Sequence, residues 1–173
     1  SEMCIRDSFH ERLETPFLDF LAKDGSVLIL TETTSNLHHK NIINSIDQLI
    51  TPFDNFDIEK FQPEILLTFG GMVISKKIKA LLRKNKPQEH WHIDSKKALD
   101  TYFCLSHHFK TNPNTFFKQF LPLTIDLSSE YQSYFIDKRN DRRKKHMAYI
   151  DQIVFSDLYV FSKVIGSLHT NIN

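Results

Sequence analysis

SVLIL (26–30) and EILLTF (64–69) are short runs with an apolar residue at nearly every position. A strand with one wet face alternates apolar and polar residues, whereas a continuous run needs cover on both faces. Each run leads through a polar or glycine turn toward a segment with helical spacing. EHWHID (89–94) reads as a third strand and HFKT (108–111) as a short fourth. Strands alternating with helices specify a mainly parallel sheet flanked by helices, the α/β class.

Caps and spacing mark the helices. Thr15-Pro16 starts one, with Thr at the N-cap and Pro at the first helical position; Phe17, Phe20 and Leu21 form its apolar face and Gly25 stops it. NIINSIDQLI (41–50) reads as a short apolar helix and DIEKF (57–61) as one helical turn. Before and within SKKIKALLRKNK (75–86), Ile74, Ile78, Leu81 and Leu82 fall on one face at i, i+4, i+7 and i+8. PNTFFKQFL (113–121), a long charged helix from about 128 to 150, and SDLYVFSKVIGSL (156–168) complete the set.

The chain of 173 residues suits one domain, or one domain with pieces of others, and 40% hydrophobic content sustains a core. A net charge of +1 does not point to nucleic acid. No apolar run approaches the ~20 residues of a membrane span, and the first residues lack a secretory pattern. Cys4 and Cys104 form no CxxC pair and give no disulfide framework, which suits a reducing cytoplasm. SEMCIRDS (1–8) fits nothing that follows and resembles a translated library adapter. The expected organisation is foreign residues 1–8, an α/β domain over 9–127, and a charged connecting helix over 128–152. The central first strand is then expected to be missing, leaving SVLIL with an unpaired edge.

Two of the four glycines, Gly70 and Gly71, follow EILLTF, and the next helix opens with Ser75, Lys76 and Lys77. Ligands of open parallel sheets bind outside the carboxyl ends of the strands. Glycines let the backbone approach a ligand closely, and a helix N-terminus offers free N–H groups and positive potential. Lysines in a first turn oppose the dipole, a conflict that a bound anion relieves. These five residues therefore form a candidate anion site. A plain tight turn with solvated lysines explains the same letters equally well. Glu32, Thr33, Thr34, Ser35 and Asn36 follow the other strand and are candidates to line the same crevice, or form an ordinary polar loop.

The run PEILLTFGGMVISKKIKALLRKNKPQEHWHID (63–94) resembles the middle domain of the 2-succinyl-5-enolpyruvyl-6-hydroxy-3-cyclohexene-1-carboxylate (SEPHCHC) synthase family, thiamine-diphosphate enzymes of menaquinone biosynthesis. VLILTETTSNLHH (27–39), DTYFCLSHHFKTNPNTFFKQFLP (100–122) and FSDLYVF (155–161) support the likeness. It implies a Rossmann-like, six-stranded parallel middle domain and a parent transferase that decarboxylates 2-oxoglutarate and adds the succinyl unit to isochorismate. It implies that 153–173 opens the diphosphate-binding domain, that Lys76 or Lys77 meets a substrate carboxylate, and that the fragment alone is inactive. Thiamine diphosphate with Mg²⁺ or Mn²⁺ belongs to the cytoplasmic, homo-oligomeric parent. The cofactor-activating Glu and the Gly-Asp-Gly…Asn motif lie outside this chain, so no catalytic residue and no bound cofactor is assigned to it.

The other constellations are weaker. His90 and His92 share one face of a strand, but no nearby group completes a zinc set, so no metal ligand is assigned. His38-His39 and His107-His108 read as surface or hydrogen-bonded imidazoles. DKRNDRRKKH (137–146) is a basic run in which Asp141 stands at i+4 spacing from Lys145, the pattern of a solvated helix rather than a nucleic-acid surface. The alternative function is a stand-alone Rossmann-like module that binds a nucleotide or small anion at the glycine turn.

Overall fold

A computed structural model describes residues 2–7, 13–32, 35, 37–125 and 127–168 of the chain. Six strands form one sheet: β1 (Glu2–Asp7), β2 (Val27–Thr31), β3 (Ile42–Ile43), β4 (Ile65–Gly70), β5 (Glu89–Ile93) and β6 (Leu105–Phe109). Their spatial order is β3-β2-β1-β4-β5-β6, and every pairing is parallel. The order reverses between β1 and β4, which makes that junction the topological switch point.

The helices are α1 (Thr15–Lys23), α2 (Ile46–Ile50), α3 (Asn55–Phe61), α4 (Lys76–Lys84), α5 (Pro113–Phe120), α6 (Tyr131–Gln152) and α7 (Asp157–Leu168). Side chains alternate across β2 as strand geometry requires. Leu28 and Leu30 pack with Ile46 and Leu49 of α2, Phe61 of α3, Ile78 and Leu82 of α4 and Phe135 of α6. Val27 and Ile29 pack on the opposite face with Leu18 and Leu21 of α1 and Phe116 and Phe117 of α5. The doubly apolar runs are thus covered by helices on both sides.

A strand is present where the sequence left a gap. Glu2–Asp7 fills the centre of the sheet, pairing with β2 on one side and β4 on the other, and Met3 is fully buried in the core. Likeness to an adapter says nothing about conformation, and a central strand needs only five or six residues able to lie extended. Two further expectations are corrected. Ile42–Ile43 is a short edge strand, so the helix of 41–50 shrinks to α2. The fourth expected strand begins earlier, at Leu105.

The ends of α1 and α6 are locked together. Gln132, buried, donates through Nε2 to the carbonyls of Asp24 (3.0 Å) and Val27 (2.7 Å), and accepts from Asn41 Nδ2 at 3.2 Å. Gly25 lies against this junction: a Cβ built there would stand 2.5 Å from the Ser129 carbonyl oxygen, so only glycine fits without a backbone shift. In α6 the basic run is partly engaged. Lys138 pairs with buried Asp57, Arg139 donates to the carbonyls of Lys40 and Ile42 (both 2.8 Å), and Lys145 pairs with Asp141 at 2.8 Å. Among the described residues no helix is long and apolar enough to cross a membrane.

Candidate functional site at the carboxyl rim of the sheet

The glycine turn lies at the carboxyl end of β4, next to the switch point. Gly70 has φ 87°, the left-handed region that glycine alone adopts cheaply. The chain then passes through Ile74, which is exposed rather than part of the apolar helix face, into Ser75, the N-cap of α4. Ser75 Oγ accepts from Ile78 N at 3.2 Å and donates to Asp47 Oδ1.

The amide groups at this turn already have an anion. Glu32 follows β2, and its Oε1 accepts from Ile74 N at 3.1 Å and Ser75 N at 2.9 Å. The carboxylate therefore reaches from β2, past β1, to the turn after β4. Both lysines of the first turn are exposed. Lys77 is tied down: its Nζ donates to Thr51 Oγ1 at 2.8 Å, while Thr51 Oγ1 donates to the Asp47 carbonyl at 2.5 Å. Lys76 has no side-chain partner among the described residues. Ser35 is buried and its N–H donates to the Glu32 carbonyl at 3.0 Å. Thr33, Thr34 and Asn36 lie outside the described residues.

On the β5 side of the turn, Gly70 and Gly71 line a cavity of about 520 Å³, together with Thr68, His90, His92 and Tyr102; the two α4 lysines do not line it. Its basic residues are Lys96 and Lys97, and Met72 and Leu99 supply apolar wall. Thr68 Oγ1 lies 2.8 Å from both His90 Nε2 and His92 Nδ1. One hydroxyl has one proton, so it donates to at most one of the two imidazoles. His108 Nε2 donates to the Asp94 carbonyl at 2.8 Å. Two buried polar atoms here, His90 Nδ1 and Tyr102 OH, have no hydrogen-bond partner among the described residues. Such orphans cost about 1–3 kcal/mol each and are uncommon.

Burial, with His92 adding a smaller repulsion, pushes the His90 imidazolium down to about 4 from 6.5. His92 is lowered for the same main reason. Burial, reinforced by the nearby Glu32 carboxylate, raises the Tyr102 phenol. The unfolded chain takes up a proton on His90 near pH 6.5, but the folded chain does so only near pH 4. Stability is therefore complete above pH 6.5 and falls as pH drops to 4, by about 3 kcal/mol from this residue. Melting of the chain across this window should show the decline, and H90Q should flatten it. An equally steep decline in H90Q would remove His90 as its source.

The geometry thus divides the five expected anion-site residues. Gly70 and Gly71 face the histidine cavity, Ser75 and Lys77 are bound to α2 and the turn after it, and Lys76 is exposed with no side-chain partner among the described residues. The sequence placed His90 and His92 on one face, as they are, but gave no sign of Thr68 or Tyr102. A lone Thr inside EILLTF, level with His92 in the next strand, was the available signal. Among the described residues, no three His, Cys, Asp or Glu side chains come together as metal ligands.

Over residues 15–154 the chain matches the family described as "Middle domain of thiamine pyrophosphate". It is 55% identical over 160 residues to the 2-succinyl-5-enolpyruvyl-6-hydroxy-3-cyclohexene-1-carboxylate synthase of Flavobacterium johnsoniae, covering 92% of this chain and 29% of that protein. Proteins of the same name from Flavobacterium psychrophilum and Porphyromonas gingivalis are 49% and 31% identical, over 87% and 86% of the chain and 28% and 27% of their own lengths. The chain thus spans less than a third of the relatives it matches.

Proposed function

Because the chain belongs to the thiamine pyrophosphate middle-domain family, we propose that it is the middle part of a SEPHCHC synthase. The parent decarboxylates 2-oxoglutarate and adds the succinyl unit to isochorismate in menaquinone biosynthesis. Likeness to three synthases over most of the chain supports this reading.

Within that reaction the chain's own contribution is electrostatic. Lys76 meets a carboxylate of 2-oxoglutarate or isochorismate, both dicarboxylates, and holds it in register with the reacting atoms. The observation that carries this role is the contrast at the head of α4. Lys77 and the amides of Ile74 and Ser75 are engaged by the protein, while the Lys76 ammonium has no side-chain partner among the described residues. A solvated lysine stays charged at neutral pH, so it transfers no proton. Gly70 and Gly71 shape the approach, and Ser75 and Lys77 fix the helix that presents Lys76.

The cofactor is held elsewhere in the parent. No Gly-Asp-Gly occurs in the sequence, and no metal-ligand cluster occurs among the described residues, so the groups present do not fit thiamine diphosphate or its Mg²⁺ or Mn²⁺. In the parent, a cytoplasmic homo-oligomer, α6 links this domain to the diphosphate-binding domain. The segment from 153 opens that domain, and its exposed Val154, Phe155, Phe161 and Ile165 pack there. The role of Lys76 is tested by K76M in the full-length enzyme, which should lose efficiency toward one or both dicarboxylates.

The histidine cavity favours a second reading, in which the same domain binds a nucleotide or small anion. Its orphaned His90 Nδ1 and Tyr102 OH await polar partners, and Lys96 and Lys97 supply positive charge. Titration of the full-length enzyme with ADP, and separately with succinate, should move the His90 ring resonances and lose affinity in Y102F. Resonances indifferent to both probes would exclude it.

A further inference from the structure

The carboxylate of Glu32 sits where an incoming anion would be expected. It takes both amide protons at the entry to α4, at 3.1 Å from Ile74 N and 2.9 Å from Ser75 N. These bonds join residues 42 and 43 positions apart, across the switch point. A substrate carboxylate arriving here finds that amide pair filled and must be met by a side chain. Of the two lysines, Thr51 holds one.

We propose that Glu32 is a positioning residue for the substrate contact: by clamping the turn between Gly71 and Ser75 to the end of β2, it fixes where Lys76 presents its charge. The proposal rests on the reading that Lys76 meets a substrate carboxylate. Three ties act together. Glu32 fixes the amides before the helix, Asp47 fixes the Ser75 hydroxyl, and Thr51 fixes Lys77. The first starts at the carboxyl end of β2, with β1 between it and the strand that carries the turn. The Glu32 charge also opposes the lysines, so it lowers the general attraction of the rim for stray anions and leaves the contact dependent on geometry. Both amides bond the same oxygen, so a neutral glutamine can keep them and a shortened side chain cannot.

The test uses the full-length enzyme. E32A should raise KM about tenfold for whichever dicarboxylate K76M affects, with kcat within about twofold, because substrate positioning and not the chemical groups is disturbed. Acetate, a carboxylate small enough to refill the amide pair, should restore KM in E32A and do nothing to the wild type. E32Q should stay within about twofold of wild type. An unchanged KM in E32A, or a loss of kcat that acetate does not repair, would overturn the proposal. If E32A does not fold, E32D serves: its carboxylate is withdrawn by one methylene, and a wild-type KM there would overturn it equally. If K76M itself has no effect, the lysine reading fails. The Glu32 clamp is then judged from the amide resonances of Ile74 and Ser75, which E32A should shift and acetate should return.

Discussion

Deleting residues 1–8 should abolish the cooperative unfolding transition of the chain. β1 is the only segment among the described residues that joins the two halves of the sheet. Glu2–Arg6 pairs with Val27–Thr31 and Glu2–Asp7 with Ile65–Gly70. Its removal leaves facing edges of β2 and β4 in the middle of the core, each with backbone groups that lose their partners. An unsatisfied buried backbone group costs about 1–3 kcal/mol, and a domain's whole stability is about 5–15 kcal/mol. Several orphaned groups therefore exceed what the remaining packing can offset. The cavity left by Met3, which is fully buried, adds to the loss. M3D is a milder version: a carboxylate at that position is buried with apolar neighbours and costs several kcal/mol unless it takes up a proton. Thermal denaturation followed by circular dichroism is the measurement. A truncated chain that melts as sharply and at the same temperature as the intact one would show that β1 is not part of the stable sheet.

The strands that could be read in advance were those whose burial writes itself into composition. Val27–Leu30 and Ile65–Phe69 are apolar because both of their faces are covered. Ile42–Ile43 reads as helix because a two-residue edge strand has no periodicity of its own, and its neighbours Ile46, Leu49 and Ile50 do have helical spacing. The start of β6 is hidden in the sequence because an edge strand carries polar residues, here Ser106 and His107, that a buried strand would not. β1 lies in letters that resemble an adapter, although Met3, its second residue, is as buried as any residue in the core.

The candidate site shows the same division. Gly70, Gly71, Ser75 and the two lysines are local in sequence, and local conflict between lysines and a helix dipole made them visible. What settles their roles is distant: Glu32 on Ile74 and Ser75, Asp47 on Ser75, and Thr51 on Lys77. The same holds for the Thr68–His90–His92 group, assembled from neighbouring strands more than twenty positions apart. Contacts of that kind leave no periodic trace.

The second large effect is expected at Lys76. Once bound substrate excludes water from the Lys76 ammonium, losing one partner of this charge-assisted contact costs about 2–3 kcal/mol, or roughly thirty- to 150-fold in kcat/KM. K77M should cost less, since the Lys77 ammonium is committed to Thr51 and its removal loosens α2 from α4 without removing the substrate's partner. K76E should be worse than K76M, because it replaces attraction by repulsion.

The most direct measurement is kcat/KM of full-length wild-type, K76M and K77M enzymes for isochorismate and for 2-oxoglutarate at one ionic strength. A fall of about thirtyfold or more in K76M toward at least one of the two, with a smaller fall in K77M, is the predicted result. Wild-type efficiency toward both substrates in K76M would contradict the assignment of the free lysine at the carboxyl rim as the substrate's partner.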